Sequence, residues 1–485
     1  MSLGRKRTAP PLPSAAGGRP SPARLEWLLF LTLWFAYGVA INSGNLNAFG
    51  LQQAGVEAYV ERRHLYLEGS RVPQLHVQPV VDAFLYGGHI YPAKQPGQFM
   101  AGACAYFPLH ALGLSYAGDY LLTAALVTFL TASLVTAAAA VAVFRAAREF
   151  APDDRSLFWP LLAASSYGLA GTAFAYSGIA WHDTLATGYL TVALYLVVRI
   201  SRAAVSERKA ATLAACAGGL LGLTVTTSML PFFMALAVAL YFVFLRRWNL
   251  LPAFLAGGFL GLLPLMAYNA VCFGSPLLLS NVAGHYSDTF FRLEWGNFLG
   301  KLGFYARMLT LYAPVFWPGL LGLALYPRAL RREQALICVM LFALAAYILN
   351  IEANGTCQYG PRYLLPAMPL ASLGLVGFSF LRGAAFRLAA GLAASACALA
   401  SFFINLVGAM HGAMLCDFPH SALALYLSEM WHGQTRSYPL APWLLPPLGI
   451  CLALLARALT SYNAPHREAR VEAPEGGGAE ARRRA

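Results

Sequence analysis

Charge is what this sequence lacks. Of 485 residues only 11% are charged, while 58% are hydrophobic; water-soluble domains carry about a quarter charged and about half apolar residues. That leaves too little polar surface to hydrate a chain of this length, so a water-soluble protein is excluded. A nucleic-acid partner, which the formal net charge of +13 would otherwise suggest, goes with it, because the apolar excess has to be solvated by lipid. Short catalytic fingerprints are missing too. There is no P-loop, no HExxH, no GxSxG and no Rossmann glycine pattern, so ATPase and metalloprotease readings have no motif to rest on. The eight cysteines include no CxxC and no metal-ligand spacing. Cys104, Cys216, Cys272, Cys338, Cys397 and Cys451 lie in or beside apolar runs as small hydrophobes. Cys357 and Cys416 fall in outer segments, where a disulfide between them stays open. No internal repeat is visible, which weighs against an inverted-repeat transporter.

What the sequence does have is long apolar runs. Twelve of them start near Trp27, Tyr120, Leu157, Leu185, Thr212, Pro231, Leu251, Leu309, Ala335, Leu364, Leu388 and Ala441, each of about the 17–25 residues a helix needs to cross a hydrocarbon core. The expected fold class is an all-α polytopic membrane protein with about twelve transmembrane helices. With the N-terminus taken as cytoplasmic, the even number returns the C-terminus to the same side. Twenty-five of the 34 basic residues then fall inside, as the positive-inside rule asks, so the net charge is mostly a topology signal. Residues 1–23, rich in Pro, Gly, Ser and Arg, and residues 462–485, rich in Glu, Arg, Gly and Ala, read as disordered cytoplasmic tails. Residues 24–461 form the multi-pass domain. A basic N-terminus followed by a long apolar helix with no small-residue cleavage site reads as a retained signal anchor.

The first outer segment, residues 43–118, is far longer than the other connections, and loops of that length are usually functional or disordered. Its content of Tyr59, Leu65, Tyr66, Phe84, Tyr86, Tyr91 and Phe99 argues for order. Residues 51–67 suit an amphipathic helix with Leu51, Val56, Val60, Leu65 and Leu67 on one side, able to lie along the membrane surface. Turns are expected at Gly87-Gly88 and Pro96-Gly97.

Four polar clusters stand at outer edges of the spans. Asp82 and GGHIYPAKQPGQF (Gly87 to Phe99) set an acid, the His89 imidazole and the Lys94 cation among glycines. Lysine neutralises a phosphate as a point charge, although a hydrated loop would carry the same groups. WHDTL (Trp181 to Leu185) wedges His182 and Asp183 between apolar spans, where ionisable groups mark function by default; a solvated turn is the alternative. YNAVCFGSP (Tyr268 to Pro276) puts Asn269 in an apolar run, where its amide needs a partner from a ligand or a neighbouring helix. NGTCQYGPRYLLPAMP (Asn354 to Pro369) brings Arg362 and Tyr363 to the start of a span. Arginine there binds phosphate bidentately or snorkels to head groups. Asn354-Gly-Thr also fits the N-glycosylation tripeptide, a weak pattern. Eleven of the 21 acidic residues are outside and offer oxygens to a divalent cation, but no spacing is diagnostic of a metal.

In their order along the chain, GHIYPAKQPGQFMAGACAYF, YSGIAWHDTLATGYL, YNAVCFGSPL and GPRYLLPAMPL follow a signal-anchor helix and a long outer loop. Over roughly residues 25–380 this resembles bacterial members of the GT-C glycosyltransferase superfamily, those related to protein mannosyltransferases and lipopolysaccharide sugar transferases. The resemblance implies a polyprenyl-phosphate-linked sugar donor entering from the bilayer. Its sugar would pass to a glycan, lipid or protein acceptor on the extracytoplasmic face of a bacterial inner membrane. A lipid donor would account for polar clusters at the membrane edge and for the missing nucleotide-binding domain. Such a transfer needs a carboxylate to take the acceptor's proton and cations to hold the departing phosphate. Asp82 or Glu57 is the expected base, and Lys94 and Arg362 the expected phosphate contacts. His89, His182, Asp183, Asn269 and Tyr363 are expected as supporting substrate contacts. One stretch departs from the pattern. Relatives generally carry an acid just after the first helix, whereas this chain reads INSGNLNAFG (Ile41 to Gly50), with Asn45 and Asn47 and no acid before Glu57; an amide cannot act as a general base. Two other readings stay open: a transporter or flippase for a lipid-linked substrate, and a catalytically inactive membrane assembly factor on the same scaffold.

Overall fold

In the computed structural model each apolar run is helical, and the places where the helices break decide where polar groups gather. The structure describes residues 21–79, 82–152, 156–203, 205–285, 295–353, 355, 359–412, 424, 427–428, 431–432 and 436–463. Asn354 and Thr356 of the tripeptide, Asp288, Cys357, Cys416 and nearly all of both tails lie outside them. Helix α1 (Pro22–Ala40) starts with a Ser21 cap, whose hydroxyl accepts from the Arg24 amide at 3.3 Å, and with proline at its first position. It leads through Asn42 into the short helices α2 (Ser43–Ala48) and α3 (Gly50–Glu57). A hairpin, β1 (Ala83–Tyr86) and β2 (His89–Pro92), precedes α4 (Gly97–Ala111). This hairpin is the one sheet among the described residues of an otherwise helical chain.

Further helices are α5 (Tyr120–Phe150), α6 (Phe158–Gly168), α7 (Ala173–Ser177), α8 (His182–Arg202), α9 (Glu207–Thr227), α10 (Phe232–Phe244) and α11 (Leu251–Phe273). They are followed by α12 (Phe298–Tyr312), α13 (Phe316–Leu323), α14 (Arg331–Ile348), α15 (Arg362–Phe380), α16 (Ala384–His411) and α17 (Ala441–Asn463). Among the described residues eight are long and apolar enough to cross a membrane: α1, α5, α8, α9, α11, α15, α16 and α17. The chain is an integral membrane protein.

Eight such helices are fewer than the twelve expected, and the four shortfalls have local causes. Helix α6 stops at Gly168, and α10 begins only after the Ser228–Pro231 break. The run expected to span from Leu309 is divided at Ala313-Pro314 into α12 and α13, because proline cannot donate to the helix ladder. Helix α14 opens on Arg331, Arg332 and Glu333. Broken helices expose backbone groups that lipid cannot satisfy. Asn405 of α16 supplies part of the repair, its Nδ2 donating to the carbonyls of Ala170 at 3.0 Å and Tyr312 at 2.8 Å. The Tyr176 hydroxyl donates to the Tyr359 carbonyl at 2.9 Å. In α5 a π-helical turn, Phe129–Ser133, leaves the Phe129 carbonyl to Trp34, whose Nε1 donates to it at 2.9 Å while the two rings stack 4.5 Å apart.

A correction concerns residues 51–67. The amphipathic helix expected over residues 51–67 ends its α-turns at Glu57 and closes through a π-turn, Ala58–Arg62, at Arg63 in the left-handed region. It does not present a polar face to water: Gln52, Gln53 and Glu57 are as buried as Ala54 and Val56. The helix is covered on all sides, and its polar groups find partners inside, as in Tyr116 Oη donating to Gln53 Oε1 at 2.6 Å. Helices α9 and α11 meet with backbones almost touching. A Cβ added to Gly218 would sit 1.9 Å from the Phe254 carbonyl oxygen, and one on Gly261 2.2 Å from that of Gly219, the small-residue contact that membrane helices use. That crossing fixes the end of α9, from which Ser228 projects.

Candidate functional site

The hairpin organises the first half of the site. Gly87 (φ +57°) and Gly88 (φ +87°) form its two-residue turn, where positive φ at both positions matches the strand twist. The register pairs Tyr86 with His89 and Ala83 with Pro92. Pairing continues one step further, as the Ala93 amide donates to the Asp82 carbonyl at 2.8 Å. Asp82 and Lys94 therefore leave the hairpin at the same end, and Lys94 Nζ donates to Asp82 Oδ1 at 2.7 Å. Asp82 itself has φ +61°, a left-handed conformation that aspartate tolerates better than most side chains. Burial pushes the Asp82 carboxyl up, but the Lys94 ammonium in contact, with Arg362 behind it, outweighs burial and holds it below its ordinary value.

The second half is built at helix starts. Trp181 is the N-cap of α8, so His182 and Asp183 occupy its first turn, where a carboxylate is favoured by the helix dipole. Asp183 is buried. It accepts from Ser228 Oγ at 2.7 Å and Trp181 Nε1 at 3.1 Å, with His182 Nε2 at 3.5 Å and Arg362 Nε at 3.9 Å. Arg362 begins α15, its guanidinium 5.2 Å from the Trp181 ring centre and 5.0 Å from that of Tyr363. Lys94 Nζ lies 5.9 Å from the same Trp181 ring. Both cations thus share one aromatic floor, a favourable placement of positive charge on a π face.

Lys94, His182, Asp183, Ser228, Arg362 and Tyr363 all line one cavity of about 40 Å³. Two polar atoms there, Arg362 Nε and His182 Nδ1, are buried without a hydrogen-bond partner among the described residues. Buried polar atoms are rarely left unpaired, and an anion or water in the cavity would satisfy them. The hairpin is pinned against this cavity by Ser280 Oγ donating to the Lys94 carbonyl at 3.0 Å and Gln95 Nε2 donating to Asn281 Oδ1 at 2.8 Å.

Of the residues singled out in the sequence, Asp82, Lys94, His182, Asp183, Arg362 and Tyr363 are brought together. Three are not. Glu57 is buried in the first outer segment, where it accepts from Arg62 Nε at 2.7 Å and Ser70 Oγ at 3.2 Å. Burial raises its carboxyl above the ordinary value even against Arg62. His89 sits at the turn end of the hairpin, 2.6 Å from Glu68 and stacked 4.0 Å from the Tyr66 ring; strand geometry carries it away from Lys94. Asn269 is fully buried near the end of α11 and donates to the carbonyl of Pro276, just beyond the helix end, at 3.3 Å. Asn42, in the stretch that lacks an acid, caps α2 by accepting from the Asn45 amide at 3.1 Å and ties α1 to α16 by donating to the Ala409 carbonyl at 3.0 Å.

Sequence reasoning missed Ser228, and it quoted Trp181 without giving it a role. The signal for Ser228 was present in TVTTS before Met229-Leu230-Pro231 (residues 224–231), a polar break between apolar runs. A divalent cation finds no cluster of three His, Cys, Asp or Glu among the described residues. The two carboxylates at the cavity already face Lys94 and Arg362, so this donor set does not fit a metal.

Among solved structures, ArnT from Cupriavidus metallidurans bound to undecaprenyl phosphate aligns with 91% of this chain and 73% of its own, at TM-score 0.50 and 14% identity. Archaeal oligosaccharyltransferase AglB from Archaeoglobus fulgidus, in complex with an inhibitory peptide and a dolichol-phosphate, aligns with 85% of this chain and 59% of its own, at TM-score 0.47 and 14% identity. No protein-family model matches the chain, and no curated protein matches it in sequence. The chain has the fold of the GT-C membrane glycosyltransferases, the one its motifs in sequence resemble.

Proposed function

We propose that the protein is a membrane glycosyltransferase that moves a sugar from a polyprenyl-phosphate-linked donor to a glycan, lipid or protein hydroxyl on the extracytoplasmic side. One observation carries the reading: Lys94 and Arg362, on separate elements, face a single cavity beside a carboxylate, and the buried Arg362 Nε has no hydrogen-bond partner among the described residues. The cavity has room for about three waters, which the phosphate of a lipid donor would replace. The ArnT of the same fold was solved with undecaprenyl phosphate, and the basic excess on the opposite side of the sequence topology supports an outward-facing site.

In this mechanism Arg362 and Lys94 hold the phosphate and the acceptor hydroxyl approaches from the Asp82 side. The acceptor oxygen forms a bond to the anomeric carbon as the bond from that carbon to the phosphate oxygen breaks. The hydroxyl proton goes to Asp82, and the electron pair leaves with the polyprenyl phosphate, whose charge the two cations stabilise. Asp82 suits the base because 40% of its side chain is exposed, whereas Asp183 is 2% exposed and already accepts two hydrogen bonds. Asp183 instead orients Arg362. A single displacement inverts the anomeric centre.

The test is transfer of radiolabelled sugar from polyprenyl-phosphate sugars in membranes, comparing wild type with Asp82→Asn, Arg362→Ala and, as a control away from the cavity, Glu57→Gln. Activity in wild type that falls in the first two and persists in the third is expected. Full activity in Arg362→Ala overturns the site. A wild type inactive with every donor, yet able to move a labelled lipid-linked substrate across vesicles, makes the protein a flippase.

A further inference from the structure

A second cavity opens at the other end of α8. Trp27 and Phe30 of α1, Val141 of α5, and Val192 and Leu196 of α8 give it apolar walls, and its volume is about 330 Å³. Helix α8 starts at His182 in the first site and reaches Tyr195, another wall residue, thirteen residues later. At 1.5 Å rise per residue the two cavities lie about 20 Å apart along the axis. They are separate sites near opposite ends of one membrane-spanning helix.

Among the described residues, the mouth of this groove carries more positive than negative charge. Arg145 donates to Glu26 Oε2 through Nε at 3.0 Å and Nη2 at 2.7 Å, while Arg148 Nη1 lies 3.8 Å from Glu26 Oε1. One carboxylate thus serves two guanidinium groups. The nearby Arg199 is matched by Glu149 and does not change that excess. Arg145 also lies over the Tyr195 ring, 5.7 Å from its centre, with 44% of its side chain exposed. Trp27, 65% exposed, stands on the rim, where an amphipathic ring marks head-group depth.

We propose that this groove binds an anionic phospholipid of the surrounding bilayer, with an acyl chain between α1, α5 and α8 and the phosphate at Arg145 and Arg148. The volume is in the range of about 300–1,000 Å³ that organic ligands occupy, and the walls are hydrocarbon. A zwitterionic lipid fills the same walls but brings no net charge to the second arginine. A soluble anion answers the arginines but not the walls.

Native mass spectrometry of the full chain, released from micelles holding equal amounts of phosphatidylglycerol and phosphatidylcholine, tests this. Wild type is expected to retain phosphatidylglycerol by about fivefold over phosphatidylcholine, the effect of roughly one unmatched cation at a membrane surface. The double variant Arg145→Gln/Arg148→Gln brings the ratio close to one. Glu26→Gln, which removes the carboxylate that both arginines share, raises it, and decides the matter should the double variant fail to fold. Val192→Trp, which fills the groove, lowers retention of both lipids. Equal retention by wild type, or a ratio unmoved by Glu26→Gln, overturns the proposal.

Discussion

Replacing Asp82 by asparagine separates chemistry from structure. Asparagine keeps an oxygen where Lys94 Nζ donates at 2.7 Å and keeps the shape that the φ of +61° accommodates. The pair is half-exposed on the carboxylate side, 40% against 9% for Lys94, and ion pairs open to solvent contribute about 0–1 kcal/mol. The melting temperature should therefore hardly move. The rate should move a great deal: a positioned general base contributes about 10²–10⁴-fold, or about 3–5 kcal/mol of barrier, and an amide supplies none of it. The assay is single-turnover transfer from a radiolabelled polyprenyl-phosphate sugar by the purified protein, with donor binding measured in parallel. Expected is a loss of about 10²–10⁴-fold in transfer at unchanged donor affinity, because Lys94 and Arg362 remain. Transfer within about threefold of wild type would remove Asp82 from the chemistry, since no base contributes so little.

The same ion pair sets the response to pH. Lys94 holds the Asp82 carboxyl below its ordinary value, so its stabilising contribution is present above the unfolded pKa of about 3.9 and is lost as pH falls through the lower folded value. Lys94→Met removes the largest opposition to burial at that carboxyl and leaves only Arg362 and His182 to offset it, so the acid limb of the transfer rate should move to higher pH, read from a rate profile. Ser228→Ala removes one of the two hydrogen bonds to buried Asp183 and should cost about 1–3 kcal/mol in denaturant or thermal unfolding. Gly97→Ala puts a Cβ 2.4 Å from Thr227 Oγ1 and 2.8 Å from the Thr226 carbonyl. It should cost about 1–3 kcal/mol of stability and reduce transfer too, because the segment between β2 and α4 that holds Lys94 is pushed from the end of α9.

Much of the fold was legible because lipid imposes a simple rule on length and composition, and each of the twelve apolar runs is helical. The breaks were harder to read. Pro314 stands in plain view, but that Tyr312 and Ala170 share a single amide, Asn405, depends on a contact between segments 235 and 93 residues apart, which no local pattern encodes. The amphipathic reading of residues 51–67 failed for a related reason. Periodicity reports which side of a helix is apolar, while Gln52, Gln53 and Glu57 are buried by elements that arrive later in the chain. At the site, Lys94 and Arg362 stood out because a cation beside a span is rare in so uncharged a sequence. Glu57 was the opposite case, an outer acid whose partners Arg62 and Ser70 occupy it.

The stretch after α1 bears on how the site is assembled. An acid at Asn42 or Asn45 would have to be buried: the two are 0% and 1% exposed, and Asn42 spends its amide on the carbonyls of Ala40 and Ala409. A carboxylate cannot donate those bonds, and leaving buried carbonyls unpaired costs about 1–3 kcal/mol each. This chain uses the position to lock α1 to α16 instead. On the proposed mechanism the carboxylate comes from another element, and the hairpin is held without that junction. Its Gly87-Gly88 turn and strand register bring Asp82 and Lys94 to the same end through backbone bonds, where the two side chains pair, and Ser280 and Asn281 anchor the hairpin's Lys94 side. With Asp82 just before β1 and Lys94 just after β2, the proposed base and phosphate contact sit at one end of a single hairpin, so their spacing depends on the pairing of two strands rather than on the angle between distant helices.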